Sequence, residues 1–331
     1  MNSEVLRRTN QFLDDFSRTT AARRVEFIAV TGSAARDEEV WRGDALVSDI
    51  DLMFVTARTN LMLTRQVSAL IARHASEGID GGPVPIGPLR RYATLSFFEA
   101  RENGVTVWGS GDLRDVIPRY DGGLPMWEAV RVLANRLFEW VKVDAGASTT
   151  EHAITKTYEA IAEAALVLDR RYQPTFASRL DALRSQLPTA MNLEMGARLA
   201  AVLKRRFDAG AFDLPTPEVA RRDLFAALER ALCEYTGSSQ GLDEQFALLR
   251  RTQRHPRHRA YAMGLEALGG RSPLPWAWTD PCIAVWREGM AHVRGDDDRV
   301  DAALLLRQWR RVPQVLSMRP SQGGTNGSPH G

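Results

Sequence analysis

The sequence has little cysteine and no long apolar run, and each shortage excludes a class of protein. Two cysteines among 331 residues, Cys233 and Cys282, cannot build a disulfide framework, so we expect reduced, buried thiols and a cytoplasmic location. No apolar stretch approaches the roughly 18 residues of a membrane span. The first residues carry mixed charge and no signal-peptide apolar segment. We therefore expect neither a membrane protein nor a secreted one.

The sequence also lacks a strong net charge. Its 43 basic and 41 acidic residues leave a net charge of +2, which gives no global basic field to attract nucleic acid. Lysine occurs at only three positions, Lys142, Lys156 and Lys204, so nearly all the basic residues are arginine. The apolar fraction of 44% and the charged fraction of 25% are typical of globular proteins, and the length suits two domains.

Two short apolar runs carry the most informative pattern in the chain. The first, Phe27 to Val30, stops at Thr31-Gly32-Ser33, and the second, Ile50 to Val55, is interrupted only by Asp51. Both runs are rich in β-branched residues and bounded by turn residues, which predicts two buried strands. We expect a helix to open after Ser33 and to run from about Ala34 to Trp41.

Asp49 and Asp51 lie two residues apart, so an extended backbone places both side chains on one face. Paired carboxylates repel each other unless a cation lies between them, and a hard divalent cation such as Mg²⁺ suits this role. The Gly32-Ser33 turn would let backbone N–H groups approach a phosphate closely. Ser48 could either cap the turn before the second strand or touch a ligand.

The Gly-Ser turn, the spacer and Asp-Ile-Asp, within TGSAARDEEVWRGDALVSDIDL, resemble the nucleotidyltransferase superfamily of DNA polymerase beta. The resemblance implies that Asp49 and Asp51 bind two Mg²⁺ ions. It also implies that Gly32 and Ser33 hold the triphosphate of a nucleotide, with Arg36 as a charge partner. In that mechanism a hydroxyl displaces pyrophosphate in line at the α-phosphorus.

The remaining pattern predicts an α/β (α+β) domain with a small mixed sheet, followed by an all-α helical bundle. We expect the nucleotidyltransferase domain at 1–110, a linker at 111–125, a helical domain at 126–316 and a disordered tail at 317–331. This order resembles the two-domain nucleotidyltransferases, which include the aminoglycoside nucleotidyltransferases. The stretch ITKTYEAIAEAALVLDRRYQPTFASRL resembles a helix of bacterial relatives. On it, Lys156 is either a further phosphate contact or a solvated surface lysine.

The superfamily usually has a third carboxylate, on a strand after the helix that follows Asp-x-Asp, which helps to bind the metal or acts as base. The matching region here, 82–88, contains no acid and three prolines, which argue against a central strand. Asp80 lies just before this region and Glu99 after it. We take Glu99 as the catalytic candidate because its apolar setting could tune a general base. The alternative is an ion pair with a neighbouring arginine, Arg90, Arg91 or Arg101.

Two further groups of residues are weaker candidates. The basic patch at 250–259, with His255 and His258, could contact phosphate or nucleic acid, but it has no interleaved aromatics for stacking and a solvated loop is the simpler interpretation. Trp276, Trp278 and Trp286 could line an acceptor pocket or form ordinary packing.

We therefore expect a metal-dependent nucleotidyltransferase that transfers a nucleoside monophosphate, AMP from ATP in the simplest case, to a hydroxyl of a small molecule. Mg²⁺ is the expected cofactor, and nucleic acid and membranes are not expected as partners. One alternative is modification of a protein or transfer RNA, as in toxin–antitoxin nucleotidyltransferases. The other is a nucleotide-binding pseudoenzyme that has lost its third carboxylate.

Overall fold

The computed structural model describes residues 1–42, 45–46, 48–58, 60–186, 188, 193–207, 213–252, 281–296 and 301–311. The chain divides into two compact units, the first formed by Met1–Leu124 with Arg171–Ser185 and the second by Pro125–Arg170 with Gln186–Gly331. The first unit thus takes up almost all of the predicted linker at 111–125, where Leu113 and Ile117 are buried in its core. A later segment of the chain also returns to this unit.

The first unit is built on a small mixed sheet. The strands are β1 (Phe27–Thr31), β2 (Trp41–Arg42), β3 (Ala45–Leu46), β4 (Ile50–Thr56), β5 (Ile79–Pro85) and β6 (Val105–Gly109). Four of them pair in the order β5-β4-β1-β6, while β2 and β3 form a separate antiparallel pair. β1 runs antiparallel to β4 and β6, and β4 runs parallel to β5. The mixed α/β class predicted from the sequence is confirmed.

Seven helices of the described chain belong to the first unit. They are α1 (Ser3–Ser17), α2 (Gly32–Ala35), α3 (Leu61–Arg73), α4 (Ile86–Arg91), α5 (Leu95–Asn103), α6 (Leu113–Val116) and, from the returning segment, α9 (Phe176–Ser185). α1 begins after a capping residue, since Oδ1 of Asn2 accepts a hydrogen bond of 2.8 Å from the amide of Glu4. α3 makes the crossover that parallel strands require, here between β4 and β5.

Alternating side chains of β1 and β4 bury opposite faces of the sheet. One face packs against α1 and α3 through Phe12, Phe16, Ile28, Val30, Ile50, Leu52, Phe54, Leu63 and Val67. The other face packs against α4, α5 and α6 through Ala29, Met53, Val55, Leu89, Ala100 and Leu113. Asp51 alternates with Ile50 and Leu52, so it belongs to the second face.

α2 is much shorter than the predicted helix from Ala34 to Trp41. Asp37 adopts a left-handed conformation with φ of 55°, and the amides of Arg36 and Glu38 both donate to the carbonyl of Ser33 (3.1 and 3.0 Å). A left-handed residue just past the last turn is a common helix terminator, and Asp is one of the side chains that tolerates it. The chain therefore turns away after Ala35 and reaches β2 at Trp41.

The proline-containing stretch after Gly78 forms β5, a strand that the sequence analysis did not assign. It lies at the edge of the sheet, where prolines are tolerated because one side of the strand needs no hydrogen-bond donors. Gly81 has a φ of 136°, and a Cβ at this position would lie 1.9 Å from the carbonyl oxygen of Leu52 on β4. Only glycine permits this close approach of the two strands.

The second unit is helical in its described part. Its helices are α7 (Trp127–Asp144), α8 (Thr150–Leu168), α10 (Leu193–Phe207), α11 (Pro217–Thr236), α12 (Leu242–Thr252), α13 (Pro281–Arg294) and α14 (Ala302–Arg311). Buried hydrogen bonds fix how they pack: Tyr158 on α8 donates to Asp223 on α11 at 2.6 Å, and Arg198 on α10 donates to the same carboxylate at 2.7 Å. Burial, together with the Asp223 carboxylate, raises the pKa of the Tyr158 phenol, which keeps it a donor.

Other sequence predictions fall on this unit or outside the described chain. Trp286 is buried and donates to Oδ1 of Asn135 at 3.0 Å, as in ordinary packing. Cys282 is buried and Cys233 is half-buried, and no disulfide joins them. The described helices include none with the length and apolar character to cross a membrane. Residues 253–259, Trp276, Trp278 and the tail at 317–331 lie outside the described residues.

The contact between Gly81 and Leu52 predicts a sharp difference between two adjacent glycines. Gly81→Ala forces a Cβ onto the Leu52 carbonyl and should lower the free energy of unfolding by about 1–3 kcal/mol. Gly82→Ala is the matched control, since nothing lies within 4 Å of the position its Cβ would take. Urea denaturation of both variants measures the difference, and equal midpoints would contradict this strand geometry.

Candidate functional site

The end of β1 and the beginnings of β4 and β5 lie side by side at one edge of the sheet. This pairing positions several of the predicted site residues. Thr31 at the end of β1 pairs with Asp51 of β4, and Asp51 pairs with Asp80 of β5. Neighbouring strands are about 4.8 Å apart, and paired residues present their side chains on the same face. The carboxylates of Asp51 and Asp80 are therefore neighbours on one face of the sheet. The Thr31 hydroxyl also donates to the carbonyl of Asp51 at 3.3 Å.

The Asp51 carboxylate packs directly against the predicted phosphate-binding turn. Gly32 has a φ of 66°, and a Cβ at this position would lie 2.1 Å from Oδ2 of Asp51. Any other residue would clash with the carboxylate and strain the backbone, so the turn needs glycine for two separate reasons. The structure thus brings Gly32 and Asp51 together. Their predicted binding of phosphate and metal stays a prediction.

Asp49 and Ser48 lie just before β4. Asp49 is exposed and precedes the strand by one residue, while the amide of Ile50 donates to the carbonyl of Gly78 at 2.7 Å. The shared face of Asp49 and Asp51 stays a prediction. The hydroxyl of Ser48 accepts a hydrogen bond of 3.0 Å from the amide of Val40. Its two predicted roles, a cap of the turn before β4 or a contact with a ligand, stay predictions.

Asp80 is the acidic residue that the sequence analysis undervalued. It is exposed at the start of β5, and its Oδ1 accepts a hydrogen bond of 2.7 Å from the amide of Gly81, which orients the carboxylate. The signal that could have found it is Ile79, an apolar residue directly after the turn at Gly78. The prolines that follow hid the strand.

Glu99 on α5 is held by groups that are distant in sequence. Its Oε2 accepts from Arg36 at 2.9 Å, and its Oε1 accepts from Arg179 of α9 at 2.6 Å and from the hydroxyl of Tyr172. Of the neighbouring arginines considered as partners, Arg101 instead contacts Glu102 at 2.5 Å. The carboxylate predicted as a general base therefore takes part in two buried ion pairs.

Arg36 shares this environment. Its side chain is 7% exposed and lies 2.6 Å from Glu38 and 2.9 Å from Glu99. Burial acts to lower the pKa of the guanidinium, but the charges of Glu99 and Glu38 outweigh it and the pKa lies above its ordinary value. Arg36 is thus a charged group balanced by two carboxylates, and its predicted contact with phosphate stays a prediction.

Lys156 lies on α8 of the second unit. Its Nζ is 2.9 Å from Oε2 of Glu159, and the side chain is 31% exposed. This ion pair one helical turn apart is the ordinary environment of a lysine on a helix surface. A role toward phosphate stays a prediction.

The acidic residues at the sheet edge offer oxygen ligands. Within the described ranges, no three His, Cys, Asp or Glu side chains lie close enough together to hold a metal ion by themselves. Mg²⁺ is commonly bound through only one or two carboxylates, with substrate phosphates and water completing its octahedron. The chemistry of Asp49 and Asp51 fits that mode of binding.

Comparison with known proteins gives limited information. No protein-family model matches the chain, and no curated protein matches it. Among solved structures, the fold is similar to spectinomycin adenyltransferase AAD(9) from Enterococcus faecialis, crystallised with ATP and spectinomycin. The TM-score is 0.47 and the identity 12%, over 70% of this chain and 99% of that one. Similarity at this level does not establish a function.

The contact between Gly32 and Asp51 predicts strong coupling between two substitutions. Gly32→Ala should lower the free energy of unfolding by about 1–3 kcal/mol, because its Cβ meets the carboxylate and the backbone is left-handed. Adding Asp51→Ala removes the clashing oxygen and should recover part of the loss. Urea denaturation of the two single variants and the double variant gives the coupling free energy. Additive effects would mean that the two residues do not touch.

Proposed function

We propose that the protein is a metal-dependent nucleotidyltransferase that moves a nucleoside monophosphate from a nucleoside triphosphate to a hydroxyl of a small molecule. The observation that carries the proposal is the sheet edge, where the Gly32 turn, Asp51 and Asp80 lie side by side across three strands. ATP is the donor to test first.

The turn after β1 supplies the triphosphate contacts in this proposal. Gly32 and Ser33 are half-buried, and the amides at the start of α2 have no acceptor within their own helix. With no side chain at Gly32, a phosphate oxygen can come within hydrogen-bond distance of the backbone. The turn therefore binds the phosphates through N–H groups, with the Ser33 hydroxyl as a further donor.

Asp49 and Asp51 would hold Mg²⁺ together with the phosphates. When bound, the metal neutralises the charge that builds up on the phosphate oxygens during transfer. Asp51 is half-buried and fixed against Gly32, whereas Asp49 is exposed. Asp51 would thus hold the metal close to the turn, and Asp49 would complete the pair of carboxylates.

The chemical step is a displacement at the α-phosphorus. The acceptor oxygen forms a bond to phosphorus, the bond to pyrophosphate breaks, and the hydroxyl proton passes to a base. We assign Asp80 as this base because it lies beside Asp51 and is exposed. Glu99, the sequence-based candidate, is occupied by Arg36, Arg179 and Tyr172. A carboxylate beside Asp51 favours catalysis over a nucleotide-binding pseudoenzyme.

A small-molecule acceptor agrees with the charge of the chain. Proteins that bind polynucleotides neutralise many phosphates with a concentrated basic surface, and the net charge here is +2. Modification of a transfer RNA is therefore the less favoured alternative.

Calorimetric titration with each nucleoside triphosphate tests the donor site. The parent protein should bind one triphosphate in a Mg²⁺-dependent manner, and Asp51→Asn should lose that dependence because it removes a metal ligand. Asp14→Asn on α1 makes the same chemical change at an exposed position and should bind like the parent. Circular dichroism confirms that each variant is folded. If the parent binds none of the triphosphates, the proposed function is wrong.

A pyrophosphate-release assay tests the base, once an acceptor is found by screening hydroxylated small molecules. Asp80→Asn should reduce kcat by about 10²- to 10⁴-fold, the usual contribution of general-base catalysis, with nearly unchanged nucleotide affinity. Asp14→Asn again serves as the control. If Asp80→Asn keeps its full rate while Glu99→Gln loses the chemical step without losing nucleotide affinity, the base is Glu99.

A further inference from the structure

Glu99 joins two parts of the chain that are far apart in sequence. Through Arg36 it contacts the residue that follows α2, and through Arg179 and Tyr172 it contacts the segment that returns to the first unit. The side chains of Arg36, Glu99 and Arg179 are 7%, 12% and 6% exposed. Arg179 also stacks over the ring of Tyr172, 5.3 Å from its centroid. This group forms a nearly buried charge network.

A second connection runs beside the first. Oε1 of Glu38 accepts hydrogen bonds from the amides of Phe176 (2.6 Å) and Ala177 (3.3 Å) at the beginning of α9. Oε2 of the same carboxylate accepts from Nε of Arg36 at 2.6 Å. Glu38 therefore caps the returning helix and binds Arg36 at the same time.

Both connections end on the turn after β1. The amides of Arg36 and Glu38 donate to the carbonyl of Ser33, and Asp37 between them is left-handed. Asp tolerates this conformation better than most residues, but contacts on several sides still select it here. The Asp37 carboxylate lies 2.6 Å from the amino group of Met1, and the ion pairs of Arg36 and Glu38 hold the backbone on either side. The backbone that closes the Gly32-Ser33 turn is thus the backbone that holds α9.

We propose that Glu99 is a positioning residue that holds the Gly32-Ser33 turn in its phosphate-binding shape by tying it to the returning helix α9. The inference rests on the proposed function. Without the charge of Glu99, the guanidinium groups of Arg36 and Arg179 are left nearly buried and like-charged, and they must separate or hydrate. The turn then relaxes through Arg36 and its bond to Ser33. By linkage, a ligand on the turn stabilises the docking of α9 to the same extent.

Glu99→Gln tests the positioning role of Glu99, with Glu102→Gln as its control. Both substitutions remove one charge from α5, but Glu102 pairs with Arg101 and is not part of the network. Glu99→Gln should weaken Mg²⁺–ATP binding about 5- to 150-fold, the usual range for coupled sites, and Glu102→Gln should not. Adding Arg179→Met removes one of the two guanidinium charges that faced the Glu99 carboxylate, so the double variant should lose less affinity than the two single losses combined.

Hydrogen exchange provides a second measurement that needs no ligand. In Glu99→Gln, amide exchange should accelerate at 32–38 and at 176–185 together, while the β4 amides at 52–56 keep their protection. In the parent, Mg²⁺–ATP should slow exchange at 176–185, and Glu99→Gln should lose this response. The inference would be overturned in favour of a merely structural role if exchange accelerated throughout the sheet, or if it did not accelerate at 32–38.

The outcomes separate this inference from the proposed function. A parent protein that binds no triphosphate refutes the function, and the ligand-free exchange pattern still decides whether the tie exists. A parent that binds Mg²⁺–ATP, combined with a Glu99→Gln variant of equal affinity, keeps the function and refutes the positioning role.

Discussion

The site depends on one constraint, the antiparallel register that sets Thr31 opposite Asp51. This register carries the chain out of β1 immediately beside the Asp51 side chain, so the next residue must be a glycine with a left-handed backbone. The separate parallel register of β4 and β5 then places Asp80 beside Asp51. A shift of one residue would turn Asp51 into the core face formed by Ile50 and Leu52. The chemistry at the edge is therefore a consequence of strand pairing.

The charge network around Glu99 is governed by a different constraint, the free energy of burying ions. A buried ion pair adds little net stability compared with apolar residues of the same shape, but loss of one partner is strongly destabilising. Such a network therefore selects a specific arrangement more than it stabilises the fold. Glu99 lies 63 residues after Arg36 and 80 before Arg179, so the network closes a large part of the chain around the turn.

Local signals predicted much of this structure. The apolar runs of β1 and β4 follow from a few neighbouring residues, and both strands are present. What failed depends on distant contacts. α2 stops at a left-handed Asp37, whose carboxylate pairs with the amino group of Met1 and whose neighbours Arg36 and Glu38 pair with each other. β5 forms despite its prolines because it lies at a sheet edge. The partners of Glu99 could not be chosen from sequence, since nearer arginines were available and the tertiary fold selects Arg36 and Arg179.

Asp80 and Glu99 both lie near the second face of the sheet, and their hydrogen-bond partners suit them to different roles. Asp80 is exposed and oriented by a single amide of its own strand, which leaves it accessible to a substrate hydroxyl. Glu99, on the helix that packs on this face through Ala100, is shielded and shared between two guanidinium groups. A base must reach the proton that it removes, whereas a positioning group must be held from several sides. Glu99 was attractive from the sequence because of its apolar surroundings, but such surroundings suit a general base and a positioning group equally. The number and charge of the side chains that contact Glu99 distinguish the two roles.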